Sequence, residues 1–143
     1  MEDKKDSPDP LPQDIQSGPA IRHLVDTFYT NVRQDNLIGP IFEETVEDWG
    51  KHLPTMYRFW EKLLFNVPDY DGNPFQKHLS LPVQPPHFTR WIELFTQTVD
   101  DHFAGPKAEE AKTFARKIAS TFQLRMGLKP ENPEWAVPNY TRG

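Results

Sequence analysis

The sequence predicts an all-α domain, and three observations predict it. Apolar residues recur at every third or fourth position through most of residues 17–127, the period of a helix with one buried face. No stretch alternates apolar and polar residues in the two-residue period of a half-buried strand. The periodic stretches are separated by Gly39-Pro40, by a proline-rich connection and by Gly105-Pro106, which are helix-ending or turn-forming pieces. A chain of 143 residues suits one compact domain, large enough to bury roughly 68–70% of its unfolded surface.

Residues 1–16 are polar, contain proline and show no period, so they are expected to form a flexible arm. The first helix follows. Ser17 can cap it, and Pro19 sits where an early helical proline is tolerated. Ile21, Leu24, Val25, Phe28, Tyr29 and Val32 form its apolar stripe, which ends near Asn36. Gly39-Pro40-Ile41-Phe42 then forms a turn or a short helix. A second long helix is expected from about Val46 to Phe65, its buried face marked by Trp49, Leu53, Met56, Trp60, Leu63 and Leu64. Pro54 lies early in that helix or kinks it.

Residues 66–86 form a long connection carrying Pro68, Pro74, Pro82, Pro85 and Pro86. Connections of this length inside a compact domain are often functional. Asp71-Gly72 marks a turn within it, and Phe75 to Leu79 amounts to about one helical turn. A third long helix starts at Pro86 with Phe88, Trp91, Ile92, Phe95, Val99 and Phe103, and a fourth runs from Ala108 to Met126. Residues 128–143 are read as a tail, leaving a domain of residues 17–127.

Composition narrows the chemistry. There are no cysteines, so disulfides, thiolate metal sites and covalent c-type haem attachment are excluded. A net charge of -5 is unsuited to a nucleic-acid binder, which needs clustered Lys and Arg. No apolar run approaches the roughly 20 residues that span a bilayer, so no membrane partner is expected. The N-terminus lacks an apolar signal core, and a soluble cytoplasmic protein is expected. Phosphate-loop, dinucleotide, His-Glu-x-x-His and Gly-x-Ser-x-Gly patterns are all absent.

Four polar side chains on apolar stripes, or on stiffened chain, stand out. His52 lies about 40° around the helix from Met56, on the apolar face. It is either a boundary histidine with a polar partner or a residue facing a cavity. His78 is either a surface-loop histidine or a metal ligand on a segment restricted by prolines. Tyr29 and Trp91 each carry one polar hydrogen on an apolar body, and each has either a core role or a hydrogen aimed into a pocket. Phe42, Trp60 and Phe95 read as plain core.

The motifs themselves are more specific. Phe28-Tyr29-x-x-Val32-Arg33-x-Asp35-x-Leu37-x-Gly39-Pro40-Ile41-Phe42 comes first, then Trp49-x-x-His52 and Phe59-Trp60. Tyr70-x-Gly72-x-Pro74-x-x-x-His78-Leu79-x-Leu81-Pro82 and His87-Phe88-x-x-Trp91-x-x-Leu94-Phe95 complete the set. Together, over residues 20–127, they resemble a group III truncated haemoglobin. The resemblance implies a truncated globin fold, a two-over-two helical sandwich around a non-covalent haem b. It implies His78 as the proximal iron ligand and Tyr29, His52 and Trp91 as the distal residues facing a bound ligand. His52 is also a candidate sixth ligand to the iron. Phe42, Met56 and Trp60 are implied as packing against the porphyrin.

Three functions follow. One is a haem protein binding dioxygen, nitric oxide or carbon monoxide. The second is a redox enzyme on the same haem, a nitric-oxide dioxygenase or peroxidase-like activity served by an external reductase. The third is a cofactor-free helical interaction module, which shows no Soret absorption.

Overall fold

The structure, a computed structural model, describes residues 13–66 and 83–131. Among these residues it has five helices: α1 (Gly18–Gln34), α2 (Gly39–Thr45), α3 (Trp49–Phe65), α4 (Pro85–His102) and α5 (Pro106–Arg125). Helix α1 packs on α2, α3 and α4, while α5 lies against α4 and, more lightly, against α3. The pairs α1/α3 and α4/α5 are the two layers of the expected sandwich.

Helix α1 begins where the sequence places it. Ser17 is extended, and its hydroxyl accepts from the Ala20 amide at 3.4 Å, satisfying a donor that the first helical turn leaves orphaned. The stripe Ile21, Leu24, Val25, Phe28, Tyr29 and Val32 is buried in full. Past its end, the Asp35 carboxylate accepts from the amides of Leu37 and Ile38, each at 3.0 Å. This turn swings the chain into α2. Gly39 is required there, because a Cβ would come within 2.9 Å of the Arg33 carbonyl oxygen.

Helix α3 starts at Trp49 rather than Val46. The Asp48 side chain takes the Gly50 amide at 2.9 Å and sets the boundary. Pro54 lies inside the helix; lacking an N–H, it leaves the Gly50 carbonyl without its helical donor. The expected apolar face splits in two. Trp60 and Leu64 are buried, whereas Trp49, Leu53, Met56 and Leu63 are only partly covered while packing on the core. Helix α4 starts one residue earlier than expected, at Pro85, behind a Gln84 cap whose amide donates to His87 Nδ1 at 2.8 Å.

The centre is aromatic. Phe95 stacks on Trp60 (4.9 Å between ring centroids, 16° between planes) and on Trp91 (5.9 Å, 15°), with Phe28 edge-on to Phe95 at 5.1 Å. Helix α5 meets this layer through Ala108, Ala111, Ala115 and Ala119, all buried. Such small side chains let helix axes approach closely.

Two boundaries differ from the sequence reading. Residues 13–15 do not behave as an arm. Ile15 is completely buried, the Gln13 carbonyl accepts from the Ala104 amide at 3.0 Å, and Asp14 caps α5. The Asp14 carboxylate accepts from the amides of Lys107 (2.9 Å) and Ala108 (2.7 Å). Burial acts to raise its pKa. The amides of Lys107, Ile15 and Ala108 and the Lys107 charge outweigh that and hold it below the usual carboxylate range. The start of the tail is also tied down, with the Leu128 amide on the Gln123 carbonyl at 2.8 Å and the Thr89 hydroxyl donating to Glu131 at 2.7 Å. A segment without apolar period can dock through backbone groups and one anchoring side chain, which periodicity does not register. The rest of the arm and tail lies outside the described residues.

Candidate functional site

Helix α3 borders, through His52, Met56 and Trp60 among others, a cavity of about 590 Å³ that every helix helps to line. Its walls are mainly apolar, as in pockets for cofactors and small molecules, which run from roughly 300 to 1,000 Å³. Tyr29 reaches it from α1, Phe42 from α2, Met56 and Trp60 from α3, and Trp91 from α4.

Two of the polar side chains that line the cavity are in contact. The rings of Tyr29 and His52 meet edge-on at 5.5 Å, 82° between planes. Both line the cavity, and His52 Nε2 is buried. Tyr29 is only 6% exposed, and its phenol is pushed up from its ordinary pKa by burial. It stays neutral and keeps its proton to donate. Among the described residues no hydrogen bond reaches its hydroxyl. Trp91 joins the group through Phe28, whose ring lies 5.6 Å from Trp91 and 4.9 Å from Tyr29. A neutral phenol and an indole N–H in an apolar chamber can stabilise a small ligand that carries partial negative charge.

The structure therefore brings Tyr29, Phe42, His52, Met56, Trp60 and Trp91 to one cavity. Phe42 touches Tyr29, with 5.9 Å between centroids. His78 lies outside the described residues. Val83 and Phe88, which follow it in the chain, line the cavity.

Residues 13–125 match the bacterial-like globin family. The chain is 34% identical over 109 residues to the group 3 truncated hemoglobin of Campylobacter jejuni, a match covering 73% of this chain and 86% of that one. The chain belongs to the group III truncated haemoglobins of the bacterial-like globin family. The crystal structure of the group III truncated hemoglobin from Campylobacter jejuni superposes on this globin with a TM-score of 0.74 at 30% identity, covering 81% of this chain and 95% of the other. A group 1 truncated hemoglobin of Nostoc sp. is 33% identical over 79 residues, or 54% of this chain and 65% of the relative. Membership carries the family's coarse chemistry, haem-based gas binding. Among the described residues, no helix of this globin is long and apolar enough to cross a membrane.

Some lining residues escaped the sequence reading. His87 faces the cavity; its signal was the four-residue spacing to Trp91, one helical turn away on the same face. Lys51 and Phe122 also line it. Phe122 was legible only as part of an apolar stripe, because the stripe of a helix does not distinguish a packed neighbour from a void.

Proposed function

We propose that this globin binds haem b non-covalently in the cavity, with His78 as the proximal iron ligand, and that it binds dioxygen, nitric oxide or carbon monoxide on the side of Tyr29, His52 and Trp91. One observation carries the reading: the Tyr29 hydroxyl sits in an apolar chamber without a hydrogen bond among the described residues, beside His52. A donor facing an apolar cavity without a partner among the described residues fits a partner supplied by a ligand.

The donor set fits the cofactor. Phe42, Met56 and Trp60 offer apolar surface to a large flat ring, and Lys51, exposed at the rim, offers a cation to its carboxylates. Haem, when bound, would supply an iron that binds diatomic ligands, and His78 would hold it. His78 stands five residues before Val83, which lines the cavity; five extended residues reach roughly 17 Å. Tyr29 and Trp91 donate their hydrogens to the ligand. His52 either adds a third hydrogen bond or takes the sixth position itself.

Purified protein is expected to be red, with a Soret band that shifts on reduction and again with carbon monoxide. His78→Ala is expected to lose haem or its normal coordination. A wild-type spectrum in that variant overturns the proximal assignment, and the ferric spectrum reports the position of His52.

A further inference from the structure

Outside the cavity, three side chains from three successive helices close into a ring of contacts. Arg33 near the end of α1 donates through Nε to Glu43 Oε2 on α2 at 2.7 Å. The other oxygen of Glu43, Oε1, accepts from the indole N–H of Trp49, the first residue of α3, at 3.3 Å. The Arg33 guanidinium lies over the Trp49 ring, 4.6 Å from its centroid. Each member touches both of the others. On its inner side the Trp49 ring packs against Tyr29 at 5.6 Å and against His52 at 5.5 Å, edge-on at 87°. Trp49 is thus the layer between a surface ion pair and two residues of the cavity.

Exposed ion pairs contribute little stability, and the Arg33 and Glu43 side chains are 43% and 45% exposed. The distinctive property of this arrangement is orientation. The carboxylate fixes the plane of the indole through its N–H, and the guanidinium fixes its face. The Arg33 hydrogen bond, followed by the Trp49 indole and the Arg33 charge, holds Glu43 below the usual carboxylate range against an opposing desolvation effect, so it is ionised at neutral pH.

We propose that Trp49 is a positioning residue for Tyr29 and His52, held in place from the surface by Glu43 and Arg33. The proposal rests on the reading of Tyr29 as the donor to bound ligand. It extends that reading to the regulation of the same site: ligand retention depends on a solvent-exposed carboxylate that never touches the ligand.

The test uses the carbonmonoxy and dioxygen forms of the full-length holoprotein. In wild type, nuclear Overhauser contacts link the Trp49 indole to the rings of Tyr29 and His52. Glu43→Ala is expected to weaken these contacts, to broaden or split the C–O stretching band, and to raise the dioxygen off-rate roughly three- to tenfold, a modest coupling for neighbouring residues. Glu43→Gln, which keeps an acceptor for the indole, is expected to restore most of the wild-type band. Because Glu43 acts through Tyr29 and His52, Glu43→Ala is expected to raise the off-rate less in the Tyr29→Phe background than in wild type. Wild-type contacts and band shape in Glu43→Ala, or additive off-rates in the double variant, overturn the proposal. If Tyr29→Phe by itself leaves the off-rate at wild type while Glu43→Ala still disturbs the ring contacts, the donor role of Tyr29 fails and the positioning of Trp49 stands.

Discussion

Replacing Tyr29 with Phe separates the two roles this ring can have. The aromatic body is held by Phe28 at 4.9 Å, His52 at 5.5 Å, Trp49 at 5.6 Å and Phe42 at 5.9 Å. Phe preserves all four contacts, so the substitution removes only the hydroxyl. That hydroxyl has no hydrogen bond among the described residues, and deleting it breaks none among them. It also relieves the desolvation of a polar group, so stability of the haem-free protein is expected to stay within about 1 kcal/mol of wild type, on the stabilising side. The liganded state responds in the opposite direction. A hydrogen bond to a partially charged ligand in a dry chamber contributes about 1–3 kcal/mol, a factor of roughly 5 to 150 in dissociation. Trp91, the proposed second donor, lines the same cavity, which places the expected rise near the lower end, about tenfold. Stopped-flow replacement of dioxygen by carbon monoxide measures it, alongside urea denaturation. An off-rate within about twofold of wild type refutes the donor role, since one hydrogen bond corresponds to more than that. A stability loss above about 1 kcal/mol refutes the premise that the hydroxyl does nothing for the fold.

Trp91→Phe is expected to raise the dioxygen off-rate in the same assay, and by less than additively in combination with Tyr29→Phe, because two donors to one ligand atom are coupled. Asp14→Ala removes the acceptor for the first amides of α5; thermal unfolding should show a loss of about 1–2 kcal/mol, or about 4 °C for each kcal/mol in a domain of this size. The Asp14 pKa is lowered from 3.8 in the folded protein. Its contribution is therefore present above that value and is lost as pH falls through the lower folded pKa. The difference in stability between wild type and Asp14→Ala should accordingly shrink in acid, and a difference that grows there contradicts the assignment. Gly105→Ala forces a Cβ to within 2.6 Å of Asp14 Cγ at a residue with φ of +140°, and about 1–3 kcal/mol of destabilisation is expected. In the Asp14→Ala background the collisions with the carboxyl disappear, while the 2.7 Å approach to Cβ of residue 14 and the backbone strain remain, so denaturation should show a somewhat smaller penalty.

Much of this globin was legible in one dimension. The stripe of α1 is buried residue for residue as its period required, because a helix must hide a continuous apolar face wherever it packs. Ser17 and the glycine–proline pairs punctuate locally, and local chemistry acts before tertiary contacts form. Tyr29, His52 and Trp91 were visible as polar groups on apolar faces, and the motif order implied a shared distal role for them. The boundaries were less legible. Asp48 starts α3 three residues later than the apolar pattern suggested, since the carboxylate competes for the amide that the pattern assigned to a continuing helix.

By itself, then, the sequence determined the helices, their buried faces, the exclusion of thiolate chemistry and the set of polar residues worth watching. The tertiary structure decided which apolar residues are packed away from the cavity and which border it: Leu64 against Met56 and Trp60 on α3. It decided that Asp14 caps a helix 93 residues downstream and that Glu43, Arg33 and Trp49 close over Tyr29 and His52. The physical reason is one of range. Periodicity and capping are set by neighbours within a turn of chain, whereas a void, a distant cap and a ring of three side chains exist only once separate helices have fixed one another in space.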